Sequence, residues 1–163
     1  MAVNRSGAVN VRGLTELRKE LRQLEDGDRF TAELKDANFK VATFVGDMAR
    51  PRMAGLGGMG ARASQTIRSS RAATSARLSL GGAGAPYAEG VEFGAHQNVG
   101  RRVSNPGGSG SHIRQGWNQF RDWRGNGMTA GYAIFPTIRE NTQLIVRLYE
   151  EEVGRISAAA FPD

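Results

Sequence analysis

Apolar side chains recur along this chain in two rhythms, helical at both ends and strand-like in the middle. Leu14, Leu17, Leu21 and Leu24 fall at i, i+3, i+7 and i+10, the stripe of an amphipathic helix, with Arg18, Lys19, Glu20 and Arg22 off it. Asp26-Gly27-Asp28 ends that helix, and Asp28 is placed to cap the next. Phe30, Leu34, Ala37, Val41, Phe44 or Val45, and Met48 then keep helical spacing for about five turns. Pro51 is expected to end or kink this second helix, because proline lacks an N–H and clashes with the preceding turn. Ahead of both helices, Ala8 to Arg12 alternates weakly and predicts a short opening strand.

Past Pro51 the pattern loosens. Residues 54–61 are glycine-rich and read as a flexible joint. Ala76, Leu78 and Leu80 alternate with Arg77 and Ser79, predicting a strand within Ala72 to Leu80. Gly81 to Gly84 makes a turn, and Pro86 to Phe93 a short helical element closed by Gly94. Residues 95–131 carry little periodicity, and form a long loop or arm with turns at Asn105 to Ser111 and Arg124 to Gly127. Tyr132 to Phe135 reads as a strand end, and Pro136 opens a final helix whose face is marked by Ile138, Ile145, Leu148 or Tyr149, and Ile156. The expectation is one α+β domain over residues 1–163: N-terminal helices and a C-terminal helix packed on a small antiparallel sheet, with a long Gly/Arg/Trp-rich loop.

Composition adds a charge map. The chain has 163 residues, a net charge of +6 and no Cys, so neither disulfides nor Cys-based metal sites are available. Residues 1–49 balance eight basic against eight acidic side chains, while 132–163 carry three basic and five acidic ones. The excess lies between, where eleven Arg face only Glu89, Glu92 and Asp122. Arg62, Arg68, Arg71 and Arg77 belong to a stretch with no acid, which is either a solvated surface or a face for phosphate or an acidic partner. No signal-like or membrane-spanning apolar run stands out, so assembly in the cytosol is expected, without a membrane partner.

Candidate chemistry is thin. Gly55 to Gly60 matches G-x-G-x-x-G, but a helix ending in proline precedes it where a dinucleotide fold needs a strand. A joint is the better account. His96 and His112 sit in the long loop with no acid nearby, short of the three or four ligands a metal needs. Glu89 and Glu92 read as a surface carboxylate pair. No acid, base and nucleophile converge, so no catalytic residue, cofactor or metal is expected. The dense cluster is Ile113 to Arg124, which interleaves Trp117, Phe120 and Trp123 with Arg121 and Arg124. Such residues anchor subunits or partners, fold back on their own core, or stack on single-stranded nucleic acid.

One stretch resembles a known family. Pro86-Tyr87-Ala88-Glu89-Gly90-Val91-Glu92-Phe93-Gly94 is similar to the Tyr-Ala-x-x-Val-Glu-Phe-Gly motif of siphophage tail-completion or neck proteins. Val11 to Leu17, Thr66-Ile67-Arg68 and Phe135-Pro136-Thr137-Ile138 look like other pieces of that family, in its order. The resemblance implies a non-enzymatic structural virion protein at the phage head–tail junction, in a sixfold or twelvefold ring with neck and tail proteins as neighbours. The residues themselves add two expectations beside it. Trp117, Phe120, Trp123, Arg121 and Arg124 would contact subunits or partners, and Arg62, Arg68, Arg71 and Arg77 would line a DNA channel. The alternatives are a free-standing basic nucleic-acid-binding protein, or a tail terminator or minor tail subunit at a neighbouring level.

Overall fold

The computed structural model describes residues 13–95, 101–105, 107–114, 119–125 and 129–162. The expected opening strand at 8–12, His96 and Trp117 lie outside the described residues. The chain is an α+β fold built along one long helix. Helix α1 (Leu14–Leu21) leads into α2 (Gly27–Ala54), a spine about 42 Å long at 1.5 Å per residue. Gly27 is buried against the end of α1, where a Cβ would lie 2.7 Å from the Leu21 carbonyl oxygen. The helix starts two residues earlier than expected, with Asp26 at the N-cap and Asp28 in the first turn. An acid in the first turn still favours the positive end of the helix dipole.

Helix α6 (Thr142–Ala160) runs antiparallel to α2. Ile156 packs with Phe30 and Leu34, whereas Ile145 and Tyr149 pack with Val41 and Val45. Arg155 Nη1 reaches Glu33 at 3.5 Å, and Lys40 pairs with Glu152 across the same seam. Leu21 of α1 closes the lower end of this core. Burial pushes the Tyr149 phenol up to about 12.

Pro51 neither ends α2 nor separates it from its last turn. Met53, fully buried with Ala49, fastens three further residues to the core, and the Gly55 N–H bonds the Pro51 carbonyl at 2.9 Å. The glycine-rich joint is a tight turn. Gly57 and Gly58 take φ of +76° and +50°, and Gly60 opens α3 (Gly60–Ser64) against the Met53 carbonyl, where a Cβ would sit at 2.4 Å.

The sheet component is two separate antiparallel hairpins. Strand β1 (Arg68–Ser70) pairs with β2 (Arg77–Ser79) in the register Arg68↔Ser79, Ser69↔Leu78 and Ser70↔Arg77. Leu78 faces inward as its alternation predicts and comes close to Gly46 of α2, where a Cβ would lie 3.2 Å from Leu78 Cδ2. The expected strand at 72–80 is thus only the second arm of a hairpin. The first arm is Arg-Ser-Ser, with no apolar alternation to reveal it.

A second hairpin, β3 (Arg101–Ser104) with β4 (Ser111–Arg114), lies inside the long loop that the pattern left without structure. Helix α4 (Ala88–Phe93) fills the expected short element. The expected strand end at 132–135 is instead the entry to helix α5 (Ile134–Glu140), which places Pro136 within its first turn. The single C-terminal helix expected from Pro136 is two helices. They break at Asn141, whose side chain bonds the Thr137 carbonyl at 2.9 Å while Thr142 Oγ1 bonds that of Ile138 at 2.8 Å.

Ile156 is fully buried between the two long helices, so Ile156→Ala should cost about 3 kcal/mol of unfolding free energy. Gln143→Ala, exposed on the same helix, should change it by less than about 0.5 kcal/mol. Urea denaturation of both variants checks the pair.

Candidate functional site

The family-like motif forms a joint, and Glu92 is its centre. This side chain is 1% exposed, not the surface carboxylate its sequence suggests. Its partner Glu89 points outward, so the two acids form no pair. Glu92 Oε2 accepts the N–H groups of Ala133 and Ile134, and Oε1 that of Phe135, each at 3.1 Å. These are the donors a helix leaves without partners at its N-terminus. The next residue, Pro136, has no N–H to satisfy, and the Thr137 N–H begins the regular ladder at 3.0 Å from the Ala133 carbonyl. A carboxylate carried by α4 therefore caps α5 completely from 41 residues away.

Two glycines make room for this. Gly131 has φ +74°, and a Cβ there would meet Glu92 Oε1 at 2.3 Å; Gly94 has φ +73°, and a Cβ would meet the Asp122 carbonyl at 2.2 Å. The backbone around Glu92 ties down two further segments. Its own carbonyl accepts the Tyr132 N–H at 2.8 Å, the Phe93 carbonyl that of Arg124 at 2.6 Å, and the Arg121 carbonyl that of Ala95 at 2.9 Å. Tyr87 and Val91 face the core beside Ala88, and Pro86 leads in from the surface.

The joint fixes the aromatic–arginine cluster. Phe93 packs against Phe135 at 5.3 Å between centroids and against Trp123 at 6.4 Å. Phe120 covers Gly90 and packs on the core. Of the three readings left open for this cluster, self-packing describes Phe120. Trp123 differs, with 43% of its surface exposed. Beside it, Arg121 and Arg124 stack on the Tyr132 ring at 5.5 and 4.5 Å, and the Tyr132 hydroxyl donates to the Asp122 carbonyl at 2.8 Å. The result is an exposed platform of one indole and two guanidinium groups on a braced base.

The second candidate surface is the outer face of the β1–β2 hairpin. Its register puts Arg68, Ser70, Arg77 and Ser79 on one exposed side. Guanidinium and hydroxyl groups together are donors suited to phosphate oxygens. Arg71 is drawn away from this set, since it pairs with Asp36 at 2.9 Å and lies over the Phe39 ring. Arg62 is exposed on α3, apart from the hairpin.

Among the described residues no group of three or more His, Cys, Asp or Glu could hold a metal ion, and no helix is long and apolar enough to cross a membrane. His112 is exposed and bonds Asn105 at 2.7 Å. Comparison with protein-family models, curated proteins and solved structures finds no match.

The role of Glu92 was hidden in the sequence because its three donors are remote and belong to backbone. The nearest signal was Gly131 together with a proline at 136, a glycine and a helix-opening proline around an otherwise apolar run.

Removing the carboxylate leaves three N–H groups without their acceptor, so Glu92→Ala should cost about 3 kcal/mol in chemical denaturation. Burial pushes the Glu92 carboxyl above the ordinary carboxylate range, against the downward pull of the three amides and Arg139. The stability linked to Glu92 is then fully present below the unfolded carboxyl's range and is lost as pH rises through the folded value. Glu152 has the opposite sign, because Lys40 and Arg155 hold its carboxyl below the ordinary range; its contribution is lost as pH falls through that depressed value. NMR titration of the two side chains should place Glu152 below an ordinary glutamate and Glu92 above one.

Proposed function

We propose that this chain is a structural subunit of a tailed-phage virion, part of a ring at the head–tail junction that joins or completes the tail and helps form the DNA channel. The observation that carries this reading is the employment of the family-like motif. Val91, Glu92, Phe93 and Gly94 are occupied in clamping backbone and core, and what they present outward is the Arg121, Trp123 and Arg124 platform. Exposed Trp and Arg on a braced base are the residue types that anchor one protein on another. The platform is then the contact to an adjacent subunit or neighbouring neck or tail protein.

The Arg68 and Arg77 face supports the channel side of the reading. Sequence-independent attraction to phosphate is all that a passage for DNA requires. The same face favours the second reading, a free-standing basic nucleic-acid-binding protein. The two differ in what they need: a ring subunit joins tails through the platform, and a free-standing binder needs only the hairpin face.

The discriminating experiment measures native mass with and without purified virion tails, and DNA binding across a salt series. The neck reading expects the chain to join tails stoichiometrically. It also expects Trp123→Ala with Arg124→Ala to abolish joining, while Arg68→Glu with Arg77→Glu lowers the salt slope of DNA binding by about 2 and leaves joining intact. A chain that ignores tails but binds DNA tightly at low salt would transfer the assignment to the second reading.

A further inference from the structure

Helix α6 turns another face to solvent, away from buried Ile145, Tyr149 and Ile156. At 100° per residue, Leu144, Arg147, Glu151 and Gly154 fall on one stripe, and all four are exposed. Leu144 is 48% exposed, and with Phe44 and Leu148 it floors a groove of about 320 Å³ edged by Lys40, Arg147 and Glu151. Arg147 and Glu151 have no ion-pair partner among the described residues. They are one turn apart, but Arg ahead of Glu is the weaker orientation for a pair within a helix. At Gly154 an added Cβ would meet nothing within 4 Å, so the helix surface is notched there.

The stripe is self-complementary. Its spacing of three, four and three residues reads the same in both directions about Tyr149. We propose that α6 pairs antiparallel with α6 of a second copy of this chain, about a two-fold axis near Tyr149. In that arrangement Arg147 of each copy faces Glu151 of the other, and Leu144 of each enters the notch at Gly154 of the other. Both charges and the exposed leucine find partners twice over. A polyanion would satisfy Arg147 but meet Glu150 and Glu151 as like charges, and a basic partner would satisfy Glu151 and be repelled by Arg147. A second copy is the occupant that answers both.

This contact uses one face twice, whereas a ring closed head to tail uses two different faces, so the proposal does not rest on the neck reading. A helix pair of about three turns is at the small end of specific interfaces, so a micromolar dissociation constant is expected.

Sedimentation equilibrium of the full chain from roughly 10 to 200 µM tests it. The wild type should dimerise, and Arg147→Glu or Glu151→Arg alone should weaken the dimer at least about tenfold by opposing like charges. The double swap should restore it. An equimolar mixture of the two single variants should form a heterodimer, since each supplies the charge the other needs. Gly154→Leu should also weaken the dimer while raising helix stability, an effect opposite in sign to a folding defect. A wild type that stays monomeric throughout would overturn the proposal. So would association indifferent to both single swaps, or swaps that neither the double variant nor the mixture rescues.

Discussion

A single buried carboxylate holds together the half of this protein that carries the Trp123 platform. A helix that begins inside a protein leaves several N–H groups with no partner, and each is costly when water is excluded. Here Glu92 accepts three of them, and Pro136 removes the need for a fourth. Because Glu92 sits on α4 while its donors sit at the start of α5, the cap is also a tertiary contact. It can form only when Gly131 and Gly94 let the segments approach, and once formed it fixes Phe93 beneath Trp123 and the Tyr132 ring beneath Arg121 and Arg124. An N-capping problem is thereby converted into a braced surface.

The other half is organised more simply. Helix α2 offers α6 and α1 one apolar side at Phe30, Leu34, Val41 and Val45, and offers the β1–β2 hairpin a gap at Gly46. The hairpin has one inward apolar residue of note, Leu78, and its outer face is left to Arg and Ser. Arg68 and Arg77 stand on that outer face, and Glu150 and Glu151 are exposed on α6.

The helical parts of the fold were legible where burial follows the helix period. Leu17 and Leu21, and Phe30 through Val45, pack as their spacing implies. Local pattern misleads where the deciding partner is distant. Ser69 and Ser70 form a strand only because β2 lies across from them, and Ile134-Phe135 has strand-like composition yet is helical because Glu92 caps it. Asn141 divides the last helix through side-chain bonds to the turn before it, which periodicity does not register. The candidate arginines were legible as a charged stretch, but composition could not tell that Arg71 is tied to Asp36 while Arg68 and Arg77 share an open face.

Native-state hydrogen exchange at the amides of Ala133, Ile134 and Phe135 tests the Glu92 cap. Helix-start amides that face water exchange quickly, whereas amides bonded to a buried carboxylate open only with the surrounding structure. All three should be protected nearly as strongly as Val45 in the centre of α2, and Glu92→Ala should strip protection from them first. Rapid exchange at these amides in the wild-type protein, with α2 still protected, would contradict the cap.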